Sequence, residues 1–490
     1  MVSSASAGQT APTEEDPAST DPAGSRKAVA FAYVVSIFLS AMDTHIVNVA
    51  LPSLSRDFHA PIATVQWTVI GYVLGLAMFI PASGWIGDRF GTKRIFMAAL
   101  ALFTAASALC GQAHSIAELI GFRLVQGIGG GTLIPTGTAM LYRAYRPQER
   151  ARMARLLIMP VVVAPATAPV VGGLLIDQLS WRWAFYVNVP VGVLGLVIGG
   201  LFLKEQRQAA GRRFDLAGFL LSGSGLAAVL YAISEGPLLG WTSPKVVAGG
   251  IAGAALLAAF VRLELRTAAP ILDVRLLHDR LFRATNIVFA WNIAAFLGLL
   301  YLVPIFLQEV RGQSPLSSGL TTFVEAIGVV AGSQTIGHLY PRIGPRRMTT
   351  AGCVLLGLAA CSLALVDRST DPWTIRAIMF TAGFFNSATL MSVQASMFTR
   401  ISPADTGHAS AIYNTQRQSS LAIGIAVLSA IVSGVGGGKM AAFHAAFVAT
   451  GVMALVGGTC GALLVHDADA RATMGAAHQD GPGRPVVVGD

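Results

Sequence analysis

The stretch Gly84-Trp85-Ile86-Gly87-Asp88-Arg89-Phe90-Gly91-Thr92-Lys93-Arg94 joins two long apolar runs. It has an echo 253 positions later, at Gly337-His338-Leu339-Tyr340-Pro341-Arg342-Ile343-Gly344-Pro345-Arg346-Arg347. Gly84 matches Gly337, Arg89 matches Arg342, Gly91 matches Gly344, and Lys93-Arg94 match Arg346-Arg347. Two copies of one short basic turn, each between hydrophobic spans, point to a membrane protein built from two related halves.

Composition agrees. Of 490 residues, 54% are hydrophobic and only 12% charged, with a mean hydropathy of +0.63. A soluble chain carries about 25% charged residues. The spacing predicts fourteen spans, near Ala28–Leu51, Trp67–Ile86, Ile95–Gln112, Ile116–Tyr142, Leu156–Ile176, Phe185–Leu203, Leu216–Ser234, Val246–Leu263, Phe282–Leu307, Ser317–Tyr340, Met348–Val366, Trp373–Thr399, Ala409–Ser433 and Met440–Val465. Each has roughly the ~20 apolar residues needed to cross the hydrocarbon core.

The net charge of +9 does not point to nucleic acid, because its distribution follows the spans. With the N-terminus placed in the cytoplasm, Arg56, Arg182, Lys245, Arg311, Arg368, Arg376 and Lys439 lie in outside loops, and Arg123 and Arg417 fall within spans. The rest of the 34 Lys and Arg face the cytoplasmic leaflet, a strong positive-inside bias. The four cysteines stand singly in apolar runs, without metal-binding spacing, and read as packing residues.

The expected fold is all-α: two six-helix bundles related by a pseudo-two-fold axis, plus two extra central helices. The expected plan is a disordered cytoplasmic tail over 1–26, an N-terminal bundle over 27–207, two linker helices within 208–270, a C-terminal bundle over 271–466, and a cytoplasmic tail over 467–490.

Ionisable residues inside spans mark function or an internal pair. Asp43 is a proton-site or cation-site candidate, with a structural partner for an arginine or a helix end as the alternative. Arg123 cannot release its own proton, but it can respond to one that binds a nearby carboxylate. Glu325 is the other intramembrane carboxylate, a second coupling candidate or a partner for Arg417. His45 is two residues from Asp43, so the two do not share a helix face. His45, Asn48, Gln126, Trp291, Asn292, Asn386, Gln394, Asn414 and Arg417 are candidates for a substrate cavity; interhelical hydrogen bonds and plain packing are the alternatives.

The turn itself has two readings. Gly84 and Gly91 let helix ends approach, while Asp88 can pair with the cations Arg89 and Arg94 or with a neighbouring helix N-terminus. That makes a conformational latch; the alternative is a loop that only sets topology. The repeat at 337–347, with Arg342, favours the latch, although Pro341 stands where an acid would be. Pro165, Pro169, Gly172 and Gly173 give a kinked, closely packed fifth span suited to a gate.

In order and spacing these motifs resemble the major facilitator superfamily, and within it the fourteen-span drug:proton antiporters of bacteria. Met42-Asp43-Thr44-His45-Ile46-Val47-Asn48-Val49-Ala50-Leu51-Pro52 resembles that subfamily's first-helix motif, with His45 where threonine is usual. Arg123-Leu124-Val125-Gln126-Gly127 resembles its proton-coupling arginine motif. Pro165, Pro169, Gly172 and Gly173 resemble its antiporter motif, with Ala164 and Ala168 in place of the usual glycines. Trp181-Arg182-Trp183, Asn188-Val189-Pro190 and Asn414-Thr415-Gln416-Arg417-Gln418 fit as well. The resemblance implies proton-coupled efflux of drugs, antibiotics or other small amphipathic compounds across the bacterial inner membrane, by alternating access, with both termini cytoplasmic. An uptake symporter on the same fold is the first alternative, and a membrane-embedded enzyme or receptor the second. No phosphate-binding loop or nucleophile motif appears in the sequence. The expectation is therefore no enzyme, no cofactor and no metal, with a proton gradient as the energy source. Expected partners are substrate, protons and the lipid bilayer; the oligomeric state stays open.

Overall fold

In the computed structural model the described residues are 23–144, 167–205, 214–267, 270–336, 339–397, 399–401 and 405–467. Most of the first tail, nearly all of the last tail and the first part of the fifth span, with Pro165 and Ala164, lie outside them. So do Gly337 and His338 of the second turn and the side chains of Asp88 and Pro341.

The described residues form fourteen long helical segments, one for each expected span. They are α1 (Ala23–Asp57), α2 (Trp67–Phe90), α3 (Thr92–Gln112), α4 (Ile116–Ala144), α5 (described over 167–178), α6 (Asn188–Phe202) and α7 (Leu216–Leu239). Then come α8 (Pro244–Glu264), α9 (Arg280–Glu309), α10 (Pro315–Ile336), α11 (Pro345–Ser362), α12 (Pro372–Met397), α13 (Thr406–Gly434) and α14 (Lys439–Leu464). Among the described residues eleven helices are long and apolar enough to span a membrane. The other three are α4, α12 and the described part of α5. Arg123 and Gln126 in α4, and Asn386 and Gln394 in α12, make those two more polar; both are sheltered, packing along α2 and α10.

The packing repeats between halves. α2 lies along α4 as α10 lies along α12, α3 along α6 as α11 along α14, and α1 along α6 as α9 along α14. This is the geometry expected when two copies of one six-helix unit bury the same faces. α7 and α8 pack on each other, and α7 lies against α2 and α13, where the halves meet. Phe219 of α7 sets its ring edge against Phe79 of α2 at 5.2 Å, and Trp67 Nε1 donates to Glu235 Oε1 at 3.3 Å.

The halves also meet at the membrane face opposite the termini, here called the far face. Asp177, at the end of α5, accepts the Leu316 N–H at the start of α10 at 2.9 Å. Gln308 Nε2 donates to Val49 O at 3.1 Å, and Tyr301 Oη to Gln66 Oε1 at 3.4 Å. Glycines permit the closeness: a Cβ on Gly173 would meet the backbone of Pro315 and Leu316, and one on Gly319 the backbone of Pro169. Gly172 lies against Ile46 of α1. Pro169, Gly172 and Gly173 thus sit in the seam that closes the far face.

Candidate transport site

The turn Gly91–Arg94 starts α3, and its exposed N–H groups need an acceptor. Glu205, just past α6, supplies one: it accepts from Lys93 N at 3.1 Å and Arg94 N at 3.2 Å, and pairs with Arg94 Nε at 3.6 Å. Gly91 holds φ +102°, and a Cβ there would strike the Glu205 carboxylate. The second half repeats the device. Gly344 holds φ +81° against Asp467, which follows α14 and accepts from Arg346 N at 2.9 Å. Arg89 and Arg342 are exposed, and Gly84 has open space around it. Sequence reading missed Glu205 and Asp467. The available signal was an acid two residues beyond the last span of each half, in Leu203-Lys204-Glu205 and Val465-His466-Asp467. Glu205→Ala and Asp467→Ala are each expected to lower stability by about 0.5–2 kcal/mol, the range for a lost helix cap, measured by thermal unfolding in detergent.

The core of the N-terminal half holds a polar knot. Asp43 and Arg123 are both 0% exposed. Arg123 Nη1 donates to Asp43 Oδ2 at 2.5 Å and to Gln126 Oε1 at 2.8 Å, and its Nε to Thr68 O at 2.9 Å. Gln126 Nε2 donates to Asp43 Oδ1 at 2.8 Å and to Ser107 Oγ at 2.5 Å. Asn188 Nδ2 adds a third donor to the carboxylate, at 3.0 Å on Oδ1. The guanidinium lies over the Tyr72 ring, 4.1 Å from its centroid. Arg123 and Gln126 share a face of α4 because they are three apart. Asn188 reaches the knot because a short helical turn, Trp183–Tyr186, gives way to α6 there. Of the residues nominated from sequence, the structure joins Asp43, Arg123 and Gln126; it adds Asn188, Ser107, Thr68 and Tyr72.

His45 faces the other way. With Thr44 and Asn48 it lines a narrow cavity between the halves, closed by Val69, Leu297, Leu300, Leu421 and Ile425. Room for about one water remains there. Asn48 is buried with an unpartnered Oδ1. Arg417 stands on α13 one turn before Leu421, which lines this cavity together with His45. Gln394 Nε2 donates to Tyr413 Oη at 3.5 Å on the same side.

The other nominated residues are dispersed. Asn292 points from α9 to Cys353 Sγ of α11, 4.0 Å away. Asn386 is buried on α12 with its Oδ1 unpartnered. Asn414 Nδ2 turns back to Ser410 O of its own helix at 2.9 Å. Trp291 is 39% exposed, its Cβ near Gly457 of α14. Glu325 is 6% exposed on α10; among the described residues it forms no ion pair or hydrogen bond, with Arg417 or otherwise.

Such a constellation, with charges in the cores of membrane helices and a cavity at the seam of two halves, belongs to a machine that moves small molecules. Comparison with known proteins places it. The fold is similar to the POT family transporter PepTSo, with a TM-score of 0.67, 14% identity, and 91% of this chain and 98% of that one covered. It is also similar to a bacterial homolog of the human lysosomal transporter Spinster, at 0.60 and 16%, covering 92% and 98%. In sequence, the chain is 34% identical over 407 residues to the "Multidrug resistance protein B homolog" of Mycobacterium tuberculosis strain H37Rv, covering 82% of this chain and 75% of that one. It is 31% identical over 404 residues to the "Putative multidrug resistance protein MdtD" of Klebsiella pneumoniae strain 342, covering 81% and 84%. The profile of the Major Facilitator Superfamily matches residues 33–425. With fold, site and sequence in agreement, the chain belongs to the Major Facilitator Superfamily, a multi-pass membrane transporter and not an enzyme.

Proposed function

We propose that the chain exports small amphipathic compounds, drugs and antibiotics among them, across the bacterial cytoplasmic membrane in exchange for protons. The observation that carries this is the buried Asp43–Arg123 pair with its Gln126 and Asn188 donors. A charge pair with matched donors in a membrane interior is a two-state element that a proton can bias. The multidrug-resistance names of the relatives support the substrate class. The basic bias of the terminal face supports a cytoplasmic assignment for it and for both termini. No bound cofactor enters the scheme; the proton gradient supplies the energy, and the partners are substrate, protons and lipid.

The two acids have different parts. Asp43 takes a proton only by giving up Arg123. Among the described residues Glu325 has no partner to give up, so it is the simpler carrier. Proton release to the cytoplasm and substrate release outside then alternate as the halves rock about the seam. In an efflux-deficient bacterium, expression of the chain is expected to raise tolerance to several unrelated compounds, and a protonophore is expected to remove the gain. Sensitisation to those compounds would indicate uptake, and unchanged tolerance to all of them would contradict the proposal.

A further inference from the structure

We propose that Arg417 receives an anionic group of the transported molecule, so that the preferred substrates are amphipathic anions such as aromatic carboxylates and sulfonates. This rests on the export reading above and names its substrate class.

The two arginines inside spans differ in their surroundings. Arg123 is neutralised by Asp43 and donates further to Gln126 and Thr68, with only its Nη2 left over. Arg417 is half-buried in mid-α13 and, among the described residues, makes no hydrogen bond or ion pair. A guanidinium cannot shed its proton to escape this. An isolated carboxyl such as Glu325 has that escape, because it can hold a proton. The charge demand that persists through a transport cycle is therefore a positive one, at Arg417.

Its setting suits an anion with an apolar body. Tyr413, Arg417 and Leu421 recur every four residues, so they share one face of α13. On one side of Arg417 the Tyr413 ring stacks on Phe289 with centroids 4.7 Å apart and planes 18° from parallel. On the other side Leu421 borders the cavity at the seam of the halves. By its position on α13, Arg417 thus lies between an aromatic pair and the residue that borders the seam, a setting suited to an anion with an apolar body. Arg also offers a planar fork that fits carboxylate or sulfonate oxygens with two hydrogen bonds. His45, across the seam on α1, belongs to the other half. An anion held between them contacts both moving bodies, which gives it the differential affinity that coupling needs.

The test uses two probes of one ring system: 1-anilinonaphthalene-8-sulfonate, an anion, and N-phenyl-1-naphthylamine, which lacks the sulfonate. Uptake driven by a pH gradient into inside-out proteoliposomes of the full chain gives a sulfonate-to-neutral rate ratio. Arg417→Gln is expected to lower that ratio at least about tenfold, the scale of a lost charge-assisted contact, with Arg417→Lys between it and wild type. A ratio unmoved by Arg417→Gln would overturn the inference. Should that variant fail to fold, wild type decides: 1-naphthalenesulfonate is expected to displace the bound anilinonaphthalene probe in detergent at far lower concentration than 1-naphthol, and equal displacement would overturn it. Gradient-driven movement of the neutral probe without any sulfonate preference sinks this inference alone. Movement of neither probe sinks the export reading, while the displacement assay still decides anion recognition.

Discussion

Asp43→Ala is expected to lower the stability of the purified protein by about 3–5 kcal/mol, the scale for breaking a buried ion pair from one side. The reason is what it leaves behind. Arg123 is 0% exposed, keeps its charge, and would retain only Gln126 and Thr68 as acceptors. Gln126 and Asn188 would lose their shared acceptor at Asp43 Oδ1 as well. Removing the charge on both sides is a different matter, because apolar replacements of a buried pair are often close to neutral. Asp43→Leu with Arg123→Met is therefore expected to recover most of the loss while abolishing coupled transport. Thermal unfolding in detergent reads the first effect, and proton-driven flux reads the second. A double variant no more stable than Asp43→Ala would show that the stranded Gln126 and Asn188 amides, and not the uncompensated Arg123 charge, set the cost.

Gly319→Val is expected to open the far face. Even a Cβ at this position would run into the backbone of Pro169, which no rotamer change relieves. Overpacking of this kind costs about 1–3 kcal/mol. Among the described residues few hydrogen bonds join the two halves at the seam, so separating α5 from α10 is the easiest relief. Between two states of similar free energy, that penalty shifts the ratio by roughly 5- to 150-fold toward the state with the far face open. Spin labels at Leu179→Cys and Gln313→Cys straddle the seam, and their mean separation is expected to lengthen in Gly319→Val. An unchanged distance distribution would mean that α5 and α10 do not form the closing contact. Gly173→Val should act in the same direction, since its Cβ would meet the backbone of Pro315 and Leu316.

The helices were legible because their signals are local. An apolar run of membrane length and a basic turn are properties of contiguous residues, so the fourteen spans could be read from composition and charge alternation. The repeated glycines and cations of 84–94 and 337–347 exposed the two halves for the same reason. Partners were harder. Asp43 and Arg123 stood out as isolated charges, but nothing within either stretch says that they meet. Asn188 looked like a motif residue and is a donor to Asp43 from α6. Gln126 read as a cavity residue, although its place one helical turn from Arg123 was the available clue. Glu205 and Asp467 escaped because they lie far along the chain from the turns they cap. The contrast between Arg123, paired with Asp43, and Arg417, without an ion pair among the described residues, depends wholly on tertiary packing. No sequence pattern distinguishes two arginines that each sit alone in an apolar run.

The measurement that tests the central claim most directly is proton movement on substrate addition. Wild-type protein is reconstituted with pyranine trapped inside the vesicles, 1-anilinonaphthalene-8-sulfonate is added outside with no gradient imposed, and entry is counted above that into protein-free vesicles. Exchange predicts that substrate entry drives protons out, raising the interior pH, and that Glu325→Gln abolishes the change. Acidification of the interior on substrate entry would mean symport, and entry of substrate with no pH change in wild type would contradict proton coupling altogether.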